Sequence, residues 1–163
     1  MFTAVECVGF LTAALKDVRY VNKLAQVADI AGDVKAKAVA EALDLIPTQY
    51  LNRVLKAFDG APEAETLISD LIVYRHWGGT TSELGSPWFS LKKFSPEDAR
   101  AYLALPNGNT ATNVTAFRIP AGNKIVKGKV ASQVGVDGFG DYAIGGEIQI
   151  YLPDPSVAQV IRN

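Results

Sequence analysis

The chain has one cysteine, one histidine and one methionine among its 163 residues. With the single thiol of Cys7, no disulfide can form within the chain, so a fold has to be held by its core. Cys7 sits in the apolar run Ala4-Val5-Glu6-Cys7-Val8 and reads as a buried structural thiol. His76 and Cys7 are far apart and make no zinc-ligand spacing, so no metal is expected. Neither sign of charge is in excess. A net charge of −1 excludes the broad attraction to phosphate of a general nucleic-acid binder. No stretch is long and apolar enough to span a bilayer, and Met1 to Leu15 carries Glu6 without a basic leading region, unlike a cleavable signal peptide. A Walker loop is absent. The glycine-rich Gly135-Val136-Asp137-Gly138-Phe139-Gly140 lacks the Lys-Ser/Thr ending and does not resemble a Rossmann fingerprint.

What is present is an ordinary globular composition, 48% apolar and 20% charged. A chain of this size removes roughly two-thirds of its unfolded surface from water, enough for one domain or two small units. Its two parts differ in character. Up to Asp70 there are seven basic and ten acidic residues and three of the 14 glycines; beyond it, nine basic and seven acidic residues and the remaining glycines.

In the first part apolar residues recur at helical spacing: Leu11, Leu15, Val18, Val21 and Leu24; Val34, Ala38, Val39 and Leu43; Leu51, Val54, Leu55 and Phe58. Ala31-Gly32-Asp33, Ile46-Pro47-Thr48 and Asp59-Gly60-Ala61-Pro62 separate the runs. A last short helix is expected over Glu63 to Asp70. This predicts an N-terminal helical bundle over 1–70. From Leu71 the period shifts toward two, predicting strands at 71–76, 86–90, 114–119, 124–127 and 147–152. One helix interrupts them, announced by Ser95-Pro96-Glu97-Asp98 and reaching about Leu103. The expected class is α+β: a helical unit, then a mainly-β domain over 71–163 with one or two short helices.

Chemistry concentrates in the second part. Tyr74-Arg75-His76-Trp77-Gly78-Gly79 places an arginine, able to pair with phosphate, before two glycines that let a ligand approach the backbone. Gly85-Ser86-Pro87-Trp88-Phe89-Ser90 sets aromatic faces between hydroxyls, a pattern that suits stacking on a nucleobase and equally suits a core. Gly145-Gly146-Glu147-Ile148-Gln149-Ile150-Tyr151 opens a late strand on a glycine pair. Period two puts Glu147, Gln149 and Tyr151 on one face, able to line a cleft or to edge a half-solvated strand, and Ile148, Ile150 and Leu152 on the other.

In this order, Arg-x-x-Gly-Gly, then Gly-Ser-Pro-aromatic, then Gly-Gly-x-x-Gln resembles the ADP-ribosyltransferase-like superfamily over Leu71 to Leu152. Within it the arrangement is most similar to bacterial toxin domains of the necrotizing-toxin class of NAD glycohydrolases. The resemblance implies NAD as substrate, with no further cofactor. Arg75 would hold the pyrophosphate or adjacent ribose, Gly78 and Gly79 would admit it, Ser86, Trp88, Phe89 and Ser90 would wall the nicotinamide site, and Gln149 with Glu147 would occupy the late-strand catalytic position. Transferases of the superfamily place a glutamate where Gln149 stands, and this departure tilts the expectation from protein modification toward hydrolysis. A cognate immunity protein and delivery into a target cell's cytoplasm are also implied.

Two other readings stand beside this one. A toxin ribonuclease would use His76 as base, with Lys124, Lys127 and Lys129 binding phosphate, although those lysines equally suit a solvated strand face and His76 a structural role. An interaction module without catalysis would use the helical part to bind a partner and the sheet as scaffold. The segment from Gly135 to Tyr142 reads either as a long turn or as a lid carrying Phe139 and Tyr142.

Overall fold

The computed structural model describes residues 44–162. Cys7 and the first two helical runs of the sequence lie outside them. The third run forms α1, Thr48–Lys56, which buries Leu51, Val54 and Leu55. These recur at three and four residues, so they share the face turned inward. Phe58 lies beyond the helix, where it bridges to Val130 and packs its ring on Trp88 at 5.7 Å. None of the described helices is long and apolar enough to cross a membrane.

Seven strands follow: β1 Glu63–Thr66, β2 Leu71–Trp77, β3 Trp88–Ser90, β4 Asn113–Ile119, β5 Lys124–Lys129, β6 Ile148–Tyr151 and β7 Gln159–Val160. They make one antiparallel sheet in the order β1-β5-β6-β3-β2-β4-β7. A second helix, α2, spans Pro96–Tyr102 between β3 and β4. Its start is the expected one: Ser95 Oγ accepts from the Asp98 amide at 3.2 Å, Pro96 opens the first turn, and Glu97 and Asp98 face the helix dipole. The described part is thus mostly an antiparallel sheet with two helices, and the expected multi-helix bundle contributes only α1 to it.

The sequence reading errs over Glu63 to Asp70, where β1 replaces the expected helix. Pro62 ahead of alternating acids suits a helix start locally, but Glu63 and Thr66 pair in register with Lys127 and Lys124, and Glu65 meets Lys127 Nζ at 3.4 Å. Cross-strand pairing of opposite charges and the backbone ladder of β5 outweigh a weak helical preference over four residues. The sheet therefore begins before Leu71.

Alternation assigns side chains to two faces, and residues paired directly across strands share one. One face carries Val73, Phe89, Phe117, Ile125 and Ile150, which join Leu67, Ile119 and Leu152 in the main core. Phe89 and Phe117 meet edge to face at 5.2 Å. The opposite face carries Tyr74, His76, Trp88, Ser90, Gln149 and Tyr151. Near α2, Ala99, Leu103, Ala104, Ala111, Val130 and Ala143 form a second cluster.

Candidate functional site

Strands β2 and β3 touch through one register pair, Tyr74 with Ser90, whereas β2 and β4 pair along seven residues. The sheet therefore parts on either side of Tyr74. A cavity of about 30 Å³ opens there, lined by Arg75, Trp88, Phe89, Ser90 and Gln149 together with Tyr74, His76, Leu103 and Leu105. The space suits one water-sized group. Six residues singled out in the sequence, His76 among them, thus meet at one place, brought together from β2, β3 and β6.

Arg75 and Gln149 line this cavity from opposite faces of the sheet. Arg75 follows Tyr74 by one residue and so shares its face with Thr115, its direct partner on β4. Its Nε is buried and has no hydrogen-bond partner among the described residues. Partial burial lowers the guanidinium from its ordinary value to about 10, because a charge partly withdrawn from water is less well hydrated. No carboxylate lines the cavity. An anion would supply the missing partner.

Gln149 is held in place from the other side. Its Nε2 donates to the Ala57 carbonyl at 2.8 Å, at the C-terminal end of α1. The sequence left Gln149 facing either a cleft or a half-solvated edge; it lines the cavity while its amide is engaged by the residue that follows α1. Trp88 is likewise packed, between Phe58 and Tyr151, with the Tyr151 ring centroid at 4.9 Å. Burial, only partly offset by Arg53, raises the Tyr151 hydroxyl above its ordinary pKa.

His76 is 3% exposed. Its Nε2 accepts from the Phe94 amide at 3.0 Å, so Nδ1 carries the proton and points to Ser90 Oγ at 3.5 Å. The Ser90 hydroxyl in turn donates to the Lys92 carbonyl at 2.7 Å. Desolvation, with the charge of Arg75 as a lesser cause, lowers His76 to about 4. A ring with both nitrogens engaged is a structural bridge and offers no free base. The lysines of the ribonuclease reading do not converge on it. Lys127 pairs with Glu65 and Lys129 with Asp59 at 3.7 Å, on the side of the sheet where β1 and β5 meet.

Four residues expected at the site lie outside the cavity lining. Glu147 precedes β6 and meets Lys92 Nζ at 3.5 Å. Ser86 Oγ accepts from the Trp88 amide at 3.2 Å and shapes the entry to β3. Gly78 and Gly79 have φ of 148° and 61°, and a Cβ on them would overlap Thr110 Oγ1 and the Gly108 carbonyl oxygen. Their freedom serves the close approach of the 108–112 loop.

The segment from Gly135 to Tyr142 is fastened. Tyr142 donates its hydroxyl to the Leu105 carbonyl at 2.9 Å, Asn107 donates its amide to Gly138, and the Arg100 guanidinium lies 4.3 Å from the centre of the Tyr142 ring. This is the long turn rather than the lid, bracing the cavity wall behind Leu105. The sequence reading missed Tyr74, Leu103 and Leu105 as lining residues; the two leucines, just beyond α2, carry no signal other than being apolar.

No protein-family model matches the chain, and no curated protein matches it. Among solved structures, the chain is similar in fold to Tse6, solved in complex with Tsi6. The identity is 13%, the match covers 91% of this chain and 100% of that one, and the TM-score is 0.53. A second match is Rhs1-CT in complex with its cognate immunity protein RhsI1, at 20% identity over 77% of this chain and 92% of that one, with a TM-score of 0.45. At these identities the first likeness concerns the fold, and the second adds no argument.

Proposed function

We propose that the chain is a bacterial toxin domain that cleaves NAD, releasing nicotinamide, and that a cognate immunity protein neutralises it in the producing cell. The observation that carries this reading is Arg75, whose buried Nε has no partner among the described residues, at a cavity that no carboxylate lines. A cation kept without a counter-charge lowers stability, and a phosphate-bearing substrate supplies what it lacks. The order of motifs that resembles the ADP-ribosyltransferase-like superfamily names NAD as that substrate. The fold likeness to Tse6, solved in complex with Tsi6, is compatible with a protein partner for this domain.

In this reading the diphosphate stays outside the water-sized recess and meets Arg75 at its edge, while Ser90, Trp88 and Gln149 fix the shape of the recess. Departure of nicotinamide leaves positive charge on the ribosyl carbon, and the domain must place negative or dipolar density there. The ribonuclease reading loses its base in the neutral, fully bonded His76.

The test is incubation of the purified chain with NAD, following nicotinamide, ADP-ribose and cyclic ADP-ribose by chromatography, with total RNA in a parallel tube. Nicotinamide and free ADP-ribose are the expected products. Untouched NAD refutes the reading, and nicotinamide release only upon adding a macromolecule converts it to transfer.

A further inference from the structure

We propose that Lys93 is a second cation of the substrate site, binding phosphate on the Tyr74 side of the cavity, and that His76 and Ser90 are the positioning residues that set it there; this assignment rests on the NAD-cleaving reading above. His76 and Ser90 both line the cavity, and both spend their hydrogen-bonding groups on the segment that follows β3. The Ser90 hydroxyl donates to the Lys92 carbonyl at 2.7 Å, and the Phe94 amide donates to His76 Nε2 at 3.0 Å. Those two groups belong to the peptide units on either side of Lys93, so the wall of the cavity restrains both of its backbone torsions. Leu91 packs against the main core and the Phe94 ring lies 5.7 Å from the His76 ring, which leaves Lys92 and Lys93 exposed between two buried anchors.

The two lysines are not equivalent. Lys92 Nζ meets Glu147 at 3.5 Å, whereas Lys93 makes no ion pair among the described residues and rests its ammonium over the ring of Tyr74, 5.5 Å from the centroid. Tyr74 is itself a lining residue, so this ammonium stands at the edge of the cavity. An exposed lysine ordinarily loses much side-chain freedom when it closes on a ligand. This one has a fixed root and a ring beneath its head, and less remains to be lost. A diphosphate carries two negative charges where Arg75 offers one positive. Lys93 supplies the other without breaking an ion pair, and its hold on the ring face is weak enough to yield to an anion. Its flexible stem also lets it follow a group that stays outside the water-sized recess.

The experiment measures kcat and KM for NAD, at low and at physiological ionic strength, with the wild-type chain, Lys93→Ala, Lys93→Arg, Ser90→Ala, the double variant Ser90→Ala/Lys93→Ala and, as a control that removes an exposed lysine from α1, Lys56→Ala. Expected for Lys93→Ala is a KM raised about ten-fold with kcat within about two-fold, and a KM that responds less to salt than that of the wild type. Lys93→Arg and Lys56→Ala should stay near wild-type values. Ser90→Ala should raise KM by about three-fold, and by nothing further once Lys93 is already alanine, because a positioning residue acts only through the group it positions. If Ser90→Ala does not fold, His76→Gln takes its place in the same cycle. An active wild type with KM unchanged in Lys93→Ala, or changed as much in Lys56→Ala, overturns the Lys93 assignment alone. A Ser90→Ala effect that persists in full without Lys93 overturns the positioning role. An inactive wild type overturns the NAD reading itself, and this assignment with it.

Discussion

The side-chain amide of Gln149 donates to the Ala57 carbonyl at 2.8 Å, joining β6 to the C-terminal end of α1 across 92 residues of chain. Together with the Ala131 amide on the same carbonyl and Gln133 Nε2 on the Lys56 carbonyl, this bond ties the end of the helix to the sheet. Gln149→Ala removes one of the two donors to that carbonyl, which keeps the Ala131 amide at 2.9 Å, and is expected to cost about 0.5–1.5 kcal/mol. Gln149→Glu should cost more, since a carboxylate cannot donate and would sit buried against a carbonyl oxygen. Urea unfolding midpoints check the order. A Gln149→Glu chain as stable as the wild type would show that the amide is not what holds α1.

The pH dependence of stability follows from His76. The folded chain holds this group neutral down to about pH 4, whereas in the unfolded chain it takes up its proton near 6.5. Between those values the unfolded state binds more protons, so stability is full above about 6.5 and falls as the pH drops toward 4. The loss is on the order of 2–3 kcal/mol at most, at about 1.4 kcal/mol per unit. Melting curves from pH 7 to pH 4 measure it. His76→Gln is expected to be less stable at pH 7, where the bridge between Phe94 and Ser90 is impaired, and to lose that segment of the pH dependence; an unchanged slope would refute the assignment.

The strands around this histidine show what the sequence could disclose. Strands β2 and β4 announce themselves because Leu71 to His76 and Val114 to Ile119 are rich in β-branched and aromatic residues, and their pairing adds to a preference already present. Helix α2 is readable from Ser95 and Pro96 alone, since its cap is a local interaction. Strand β1 is not, because what makes Glu63 to Thr66 a strand is Lys124 and Lys127, sixty residues on. The same limit applies at the site. Spacing indicates Arg75, Trp88 and Gln149 as chemistry-bearing residues but not that α1 claims the Gln149 amide.

Gly79 offers a test of whether the glycine pair serves packing or ligand approach. Its φ of 61° and the Gly108 carbonyl oxygen in the place of a Cβ make Gly79→Ala strained twice over. The expected cost is roughly 2 kcal/mol or more. Because the contact is with the 108–112 loop, the affinity of correctly folded protein for ADP-ribose should change little. Calorimetric binding beside a denaturation curve separates the two. Lost binding with unchanged stability would restore the glycine pair to the ligand site.

Arg75 makes the strongest prediction, because stability and activity should move in opposite directions. Its Nε is buried without a partner, and burial holds the guanidinium down to about 10. The unliganded chain therefore gains by losing the charge while keeping an apolar stem of similar length. Arg75→Met is expected to raise the melting temperature by roughly 4 °C, about 1 kcal/mol, while NAD cleavage falls by about 100-fold or more. Ligand should reverse the order. Saturating ADP-ribose stabilises the wild type through binding to the folded state alone and leaves Arg75→Met where it was. Thermal melts of both chains, with and without ADP-ribose, give four numbers from which the sign can be read. A variant that melts lower than the wild type without ligand would show that the guanidinium is part of the scaffold, and the case for an anion at Arg75 would fall.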